Sequence, residues 1–482
     1  MVLDSHAVNW AVIGVDVLLA AAAAGHALLH KRDPRSALGW IAVCVFFPIA
    51  GSVLYYLFGI NRIQTRARKL ARRLRSSPTS GHEPAAPARR PRFDATADLP
   101  AEYSELARIA TALSANALLG GNRIEPLYNG EQAFPAMLAT ISNAVSTLYL
   151  STYILDTDDT GRQFIATLGA AARRGVDVRV LIDGIGEWYS WPHAARLLRK
   201  QGVRTARFLP PKLLPPTLRI NLRNHRKILV ADGTIGYAGG MNIGSRHLTE
   251  RVENPARNSD VHFRLEGPIV TQLERAFLDD WLFATGEASG TLTEPTVVAG
   301  QAIGRVLVAG PDEDLDTIAT VLVSAVSAAR RRVAIMTPYF LPPAELIGAL
   351  QAAALRGVDV TVILPGMNNL RYVHWATRNM LWELLQRGVR VLYQPPPFAH
   401  SKLFVVDGHY SVVGSANIDA RSLRLNFELV VEIYDRPFAE RLLAHFDAVG
   451  ATSQEVFPDD LNTRPLYQRI RDALAWLFSP YL

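Results

Sequence analysis

The stretch Asn224-His225-Arg226-Lys227-Ile228-Leu229-Val230-Ala231-Asp232-Gly233 has a counterpart in His400-Ser401-Lys402-Leu403-Phe404-Val405-Val406-Asp407-Gly408. In each copy a His and a Lys stand two residues apart and an Asp follows the Lys by five. The apolar residues between them read as a short buried strand, on which side chains two apart share a face. His225 and Lys227 therefore point the same way, as do His400 and Lys402. Asp232-Gly233 and Asp407-Gly408 read as the turns that end the strands. Each copy is followed by a small-residue turn holding an Asn, Gly239-Gly240-Met241-Asn242 and Gly414-Ser415-Ala416-Asn417. A single His-x-Lys can be an ordinary end of a core strand. Two copies with matching spacings and matching downstream Asn residues are hard to explain by packing.

The repetition extends beyond the motif. Arg174-Gly175-Val176-Asp177-Val178 is echoed by Arg356-Gly357-Val358-Asp359-Val360, each after an Ala-rich helical stretch and before a β-branched strand. Tyr153-Ile154-Leu155 is echoed by Tyr339-Phe340-Leu341. The expected fold class is α/β, made of two copies of one unit about a pseudo-twofold axis, with both His-Lys pairs in one cleft. The units are expected over 101–290 and 300–482.

What precedes them is different. Trp10–Leu29 and Ala37–Ile60 are apolar runs of spanning length, split by His30-Lys31-Arg32-Asp33-Pro34-Arg35. Asp16 and His26 weaken the first, and a cleaved leader is its alternative. The region before it has no Lys or Arg, which favours an N-terminal transmembrane helical hairpin over residues 1–60. Three Lys or Arg lie in the short loop and seven follow the second run, between Arg62 and Arg75. The positive-inside rule then puts the remainder on the cytoplasmic side. A basic segment and a Pro-rich linker fill 61–100, and the basic segment should meet anionic headgroups.

The chain carries 51 Lys and Arg against 44 Asp and Glu, and those seven basic residues account for the whole excess. No nucleic acid is therefore expected as a partner. The one cysteine, Cys44, excludes an intramolecular disulfide and a multi-cysteine metal site. The last stretch, Tyr467–Leu482, puts Ile470, Leu474, Leu477 and Phe478 on one helical face, expected to pack on the core. Membrane contact or a homo-oligomer contact is the alternative. The Pro-rich loop Leu209–Pro216, with Lys212, Leu213 and Leu214, is a candidate lipid entrance or an ordinary surface loop.

Two imidazoles facing one phosphorus suit a two-step displacement. One attacks and forms a phosphohistidine, while the other protonates the leaving alkoxide and then activates the incoming hydroxyl. Lys227, Lys402, Asn242 and Asn417 can stabilise charge on the non-bridging oxygens. Each His needs a partner to fix its tautomer, and Asp260 and Glu428 are candidates, each expected to serve the His of its own repeat. A metal is disfavoured because Lys227 and Lys402 would put two ammonium charges beside the cation. No metal and no cofactor are expected.

The paired motifs resemble those of the phospholipase D superfamily. Asn417-Ile418-Asp419-Ala420-Arg421-Ser422, Asn426-Phe427-Glu428 and Gly239-Gly240-Met241-Asn242-Ile243-Gly244 narrow the resemblance, together with Arg35, Trp40, Pro48, Gly51, Tyr55 and Phe58-Gly59. They are similar to the bacterial cardiolipin synthases of the phospholipase D type. A departure is Asn258-Ser259 before Asp260, where that family usually shows Trp-Arg. The resemblance implies phospholipase D-like repeats and a catalytic set of His225, Lys227, Asp232, His400, Lys402 and Asp407. Physically, Asp232 and Asp407 suit a structural role in the turn. It further implies a phosphatidyl transfer between two phosphatidylglycerol molecules, giving cardiolipin and glycerol, in a multi-pass protein of the bacterial inner membrane. By analogy His225 would be the nucleophile and His400 the acid/base. Alternatives are a membrane phospholipase D, a phosphatidyltransferase with another acceptor alcohol, or a non-catalytic membrane protein of the same fold. All four His and Lys being present disfavours the last.

Overall fold

The computed structural model describes residues 5–31, 34–59, 93–211, 222–287, 292–294, 297–310 and 316–479. The basic segment, most of the Pro-rich linker and Lys212–Pro216 lie outside the described residues. Two compact units are present, one holding the N-terminal helices and the other nearly all of the chain from residue 74 onward.

In the N-terminal unit a helix runs from Ser5 to His30. Its Ile13–His30 part is long and apolar enough to cross a membrane. The second apolar run is not one helix. It forms Pro34–Phe46, Pro48–Leu54 and a wider turn over Tyr55–Gly59. Pro48 has no N–H to continue the first piece and is placed at the start of the second, where none is needed. The arms pack on each other through Ala27, Cys44 and Tyr55, and His26 Nδ1 lies 2.8 Å from the Tyr55 hydroxyl.

Among the described residues the large unit is built on one sheet of fifteen strands. The first repeat contributes β1 (Leu119–Tyr128), β2 (Thr147–Thr152), β3 (Asp177–Asp183), β4 (Arg204–Phe208), β5 (Ile228–Ala231), β6 (Ile235–Gly239) and β8 (Val261–Glu266). A short β7 (Asn258–Ser259) stands apart from the sheet. The second repeat contributes β9 (Ala302–Ala309), β10 (Arg332–Met336), β11 (Asp359–Pro365), β12 (Arg390–Gln394), β14 (Leu403–Val406), β15 (Tyr410–Gly414), β16 (Glu428–Tyr434) and β17 (Gln454–Glu455). Its short β13 (Phe398–Ala399) pairs with β7.

The order β17-β12-β11-β10-β14-β15-β16-β9-β1-β8-β6-β5-β2-β3-β4 reads the same outward from the antiparallel β9–β1 seam, apart from β17 at one edge. In each half three strands are parallel, β2-β3-β4 and β10-β11-β12, joined by helices such as Asp159–Arg173 and Ala344–Leu355. Those connections need a helix to return the chain to the same edge. The motif strands β5 and β14 lie antiparallel beside β2 and β10. One hydrophobic cluster draws on both repeats, with Val230, Phe263 and Leu265 sharing it with Val405, Leu429 and Phe438.

The helix Ala101–Leu113 precedes the first repeat but packs on the second. Tyr103 stacks on His409 with ring centroids 4.6 Å apart, and Leu106 and Ala110 join the cluster of Leu307 and Val333. The fully buried Arg305 ties it down, giving Nη1 to Thr111 at 2.8 Å and Nη2 to the Ala107 carbonyl at 2.7 Å. Its Nε donates to the equally buried Glu432, which also accepts from Tyr410 and Tyr434 at 3.0 and 2.9 Å.

The C-terminal helix Leu466–Leu477 overturns the expectation of core packing. Ile470, Leu474, Leu477 and Phe478 are 52 to 63% exposed, while Asp472 on the opposite side is fully buried. Asp472 accepts from Arg464 and, at 2.6 Å, from Arg471. A buried carboxylate holding arginines outcompetes the apolar stripe for the side facing the protein.

Arg305→Met removes the cation and leaves Glu432 as a buried, uncompensated charge. About 3–5 kcal/mol of stability should be lost, read as a lower urea midpoint of the detergent-solubilised protein. Adding Glu432→Leu should recover part of it; no recovery would mean that the arginine contributes through the 101–113 helix alone.

Candidate active site

β5 starts three residues after His225 and β14 three residues after His400, so each His–Lys pair stands at the entry of its strand. What holds the histidine segments is backbone pairing across the repeats. Asn224 forms a parallel bridge with Phe427, the residue before Glu428, and the His225 N–H donates to the Phe427 carbonyl at 2.9 Å. Ala399 pairs in parallel with Ser259, the residue before Asp260, and the His400 N–H donates to the Ser259 carbonyl at 2.7 Å. Each segment is thereby laid against the acid of the other repeat.

The carboxylate partners are consequently crossed, which corrects the same-repeat pairing expected from the sequence. His225 Nδ1 lies 3.1 and 3.2 Å from the two oxygens of Glu428, and His400 Nδ1 lies 2.7 Å from Asp260. Sequence distance favoured the nearer acid. The parallel β13–β7 bridge and its counterpart at Asn224 decide otherwise.

The two pairs are not electrostatically equal. His225 Nδ1 faces only acceptors, Glu428 and the Ser415 carbonyl at 3.2 Å, so it carries the proton and leaves Nε2 with a lone pair. Burial pushes the Glu428 carboxyl up, but His225, Lys227 and the Ser415 hydroxyl outweigh it and hold Glu428 below the usual range. Ser415 Oγ donates to it at 2.6 Å and Asn426 Nδ2 at 3.1 Å. At the position of Ser415 the first repeat has Gly240, which offers no hydroxyl, and a Cβ there would stand 2.9 Å from both Asp260 oxygens. With fewer donors, burial prevails and the Asp260 carboxyl is pushed up. The two carboxylates are therefore shifted in opposite directions, Glu428 toward its ionised form and Asp260 toward its neutral one.

Burial lowers the pKa of both histidines, that of His400 further, with Lys402, Lys227 and His225 adding to the effect. Burial therefore disfavours an imidazolium on either ring.

Both lysines are buried and folded back, Lys227 Nζ donating to the His225 carbonyl at 2.8 Å and Lys402 Nζ to the His400 carbonyl at 2.5 Å. Burial pushes Lys227 down to about 7 and Lys402 to about 8. Asn242 is buried with Oδ1 accepting from the Ile154 N–H at 3.2 Å, and Asn417 is buried with Oδ1 unpartnered. The residue after each Asn holds the strand end after β2 or β10 at the site, Ile243 by a backbone bridge to Leu155 and Ile418 by one to Phe340.

Asp232 and Asp407 stand at the other end of the four-residue strands, five residues and about 16 Å of extended chain from the Lys. Asp232 accepts from the N–H groups of Val145, Ser146 and Thr147 at 2.7–2.9 Å, and Asp407 from those of Arg330, Arg331 and Arg332 at 2.8–2.9 Å. Burial opposes ionisation of Asp232, yet these donors hold its carboxyl low. Both residues take positive φ, +51° and +52°, and staple the turn to the strand beside it. Neither is hydrogen-bonded to a histidine; the geometry gives them the structural role.

Four further residues belong to the site. Arg226 is buried and reaches Asp280 at 2.7 Å, the Glu428 carbonyl at 3.1 Å and the Ala309 carbonyl at 3.2 Å. The Tyr153 ring lies 5.4 Å from that of His225 and under the Lys227 ammonium at 5.6 Å. His247, fully buried, has its ring 6.0 Å from that of His400. Tyr153 was visible in the sequence as a repeated strand end; Ser415, Arg226 and His247 gave no signal, since their partners come from distant positions. Among the described residues no His, Cys, Asp and Glu cluster is arranged to hold a metal ion.

Residues 137–281 and 322–449 match the family described as "Cardiolipin synthase, PLD-like domain", and residues 18–59 match "Phospholipase_D-nuclease N-terminal". The chain is 32% identical to a cardiolipin synthase of Geobacillus kaustophilus over 94% of its own length and 90% of that protein's. It is 34% identical to cardiolipin synthase A of Pseudomonas aeruginosa, over 98% of this chain and 95% of the relative. The crystal structure of a phosphatidylserine synthase from Haemophilus influenzae shares the fold, with a TM-score of 0.62 and 14% identity over 78% of this chain and all of that one.

Two outcomes are expected of the site. A bound oxyanion favours the ammonium form of both lysines and so raises their pKa values from about 7 and about 8. Orthovanadate binding at pH 8 should take up protons, seen calorimetrically as a heat that varies with the ionisation enthalpy of the buffer. Ser415→Ala removes a donor to Glu428, whose pKa then rises. Turnover should fall roughly tenfold or more, with the acid limb of the kcat/KM profile moved to higher pH.

Proposed function

Because the chain belongs to the phospholipase D-type cardiolipin synthase family, we propose that it is a membrane-associated phosphatidyltransferase making cardiolipin and glycerol from two phosphatidylglycerol molecules. The observation that carries the mechanism is the crossed and unequal His–carboxylate pairing. Ionised Glu428 fixes the Nδ1–H tautomer of His225 and stabilises positive charge on that ring, so Nε2 attacks the donor phosphorus. The bond from phosphorus to the glycerol oxygen breaks as His400, protonated at Nε2 and held at Nδ1 by Asp260, gives its Nε2 proton to that oxygen. A glycerol hydroxyl of the second phosphatidylglycerol then gives its proton to His400 and attacks phosphorus. The P–N bond breaks, and His225 returns to its neutral tautomer. Lys227, Lys402, Asn242 and Asn417 meet the non-bridging oxygens. Asp232 and Asp407 keep the strands in register.

Both apolar arms would cross the bacterial inner membrane. The seven Lys and Arg between Arg62 and Arg75, against three in the short loop, favour a cytoplasmic catalytic unit. Holding the site at the bilayer raises the local concentration of lipid alcohol over water, which a transferase needs and a hydrolase does not. No divalent ion enters the scheme.

Purified protein with phosphatidylglycerol vesicles, products resolved by mass, tests this reading. Cardiolipin plus glycerol is expected, unchanged by EDTA in a detergent-controlled assay. Phosphatidic acid plus glycerol would make it a hydrolase, and no turnover would support a non-catalytic protein. His225→Ala should abolish any covalent phosphoenzyme. His400→Ala should slow both steps yet still allow labelling by a lipid with a good leaving group. A phosphohistidine trapped at 400 and absent at 225 would reverse the assignment.

A further inference from the structure

Two sets of apolar side chains are largely exposed, and each is joined to one of the motif histidines by a trail of aromatic contacts. From His225 the trail runs through Tyr153, ring centroids 5.4 Å apart, to Tyr189 at a further 6.2 Å. Tyr189 sits in the loop between β3 and β4 that also carries Trp188 and Trp191, and the three are 59, 65 and 78% exposed. The acid of that loop, Glu187, is turned inward and paired with Arg207.

From His400 the trail runs through Phe398 at 6.0 Å to Tyr339 at 6.4 Å, whose hydroxyl donates to Asn369 at 2.9 Å. Two residues later the helix Arg371–Leu385 begins, and its Tyr372 lines an open groove of about 560 Å³ against the C-terminal helix. That helix shows the reverse of the usual amphipathic arrangement. At 100° per residue, Leu466, Tyr467, Ile470, Leu474, Leu477 and Phe478 fall within an arc of about 120°. All six are more than half exposed, and the buried Asp472 lies diametrically opposite. Arg371 and Arg469 are exposed at the edges of this surface. Between residues 463 and 479 the one acid is the buried Asp472, so the outward charge is positive.

We propose that these two surfaces, the Trp188–Trp191 loop of the first repeat and the Leu466–Phe478 face of the second, are a docking face for the interfacial zone of an anionic lipid bilayer, seating the mouth of the active site on the membrane. Trp and Tyr with flanking Arg match the chemistry of that zone, where amphipathic rings sit at headgroup level and arginine meets lipid phosphate. Each surface lies at the outer end of an aromatic trail to a motif histidine, so a bilayer seated there stands where a lipid substrate would enter. The proposal rests on the substrate being a phospholipid. It adds that the catalytic unit itself, and not its N-terminal helix alone, meets the bilayer.

The test uses the full chain with Cys44→Ser, reconstituted in phosphatidylglycerol/phosphatidylcholine vesicles. Nitroxide labels are placed at Trp191→Cys, at Leu474→Cys and, as a control, at Leu355→Cys. Leu355 is 66% exposed at the end of the helix that leads into the start of β11, away from the histidines. Positions 191 and 474 should be more accessible to oxygen than to an aqueous nickel chelate, with position 355 the reverse. Equal aqueous accessibility at all three overturns the proposal. So does dipolar broadening at 474 that disappears on dilution with unlabelled protein, which would mark a contact between copies.

A second arm separates docking from chemistry. Ile470→Glu with Leu474→Glu should lower turnover of vesicle phosphatidylglycerol roughly tenfold while leaving turnover of a monomeric short-chain phosphatidylglycerol unchanged. Loss on both substrates, or on neither, counts against the docking face. A wild-type protein inactive on both substrates would instead remove the functional reading on which it stands.

Discussion

The site depends on one exchange between the repeats, in which each motif histidine takes its carboxylate from the other half of the molecule. Glu428 reaches His225 and Asp260 reaches His400 because the segments before the histidines run parallel to the segments before the acids. Neither repeat holds a complete His–carboxylate pair by itself. This ties chemistry to the β9–β1 seam and to the hydrophobic cluster both repeats share. A shift of the halves against each other would separate both pairs at once.

The same exchange lets a duplicated unit acquire two roles. Pseudo-symmetry supplies two His–Lys sets of matching geometry, which alone would titrate alike. One substitution between equivalent positions, Ser415 against Gly240, changes the donors around the carboxylates. Glu428 is held ionised and Asp260 is pushed toward its neutral form. The difference in length between Asp and Glu matters less than this difference in solvation by donors. Arg226, with its Asp280 partner, adds a second asymmetry by anchoring the Glu428 backbone, where the second repeat has Ser401.

Besides Asp183, Glu187 and Asp280, the large unit carries charged groups inward at the histidines, at Arg305–Glu432 and at Asp472. In the last two, buried ion pairs decide which face of a helix meets the core. The 101–113 helix is drawn to the second repeat by Arg305. The C-terminal helix is turned so that its apolar stripe points out. A hydrophobic periodicity records that a helix has two faces; it does not record which face wins when a carboxylate on the polar side finds arginines.

The α/β class, the duplication and the motif strands, with the His and Lys at their entries, were legible in the sequence because they rest on local rules. Side-chain alternation places His and Lys together, β-branched runs become strands, Asp-Gly ends them, and the repeat declares its own symmetry. The first apolar helix, long enough to cross a membrane, was legible by length and apolarity. The break at Pro48 could have been read from the missing N–H alone, although the apolar run concealed it. What required the tertiary structure was everything set by contacts across the repeats. The acid belonging to each histidine, the Ser415 hydroxyl that separates Glu428 from Asp260, and the outward face of the last helix all join residues far apart in the chain. Their free energies depend on burial and on competing donors, neither of which a linear spacing encodes.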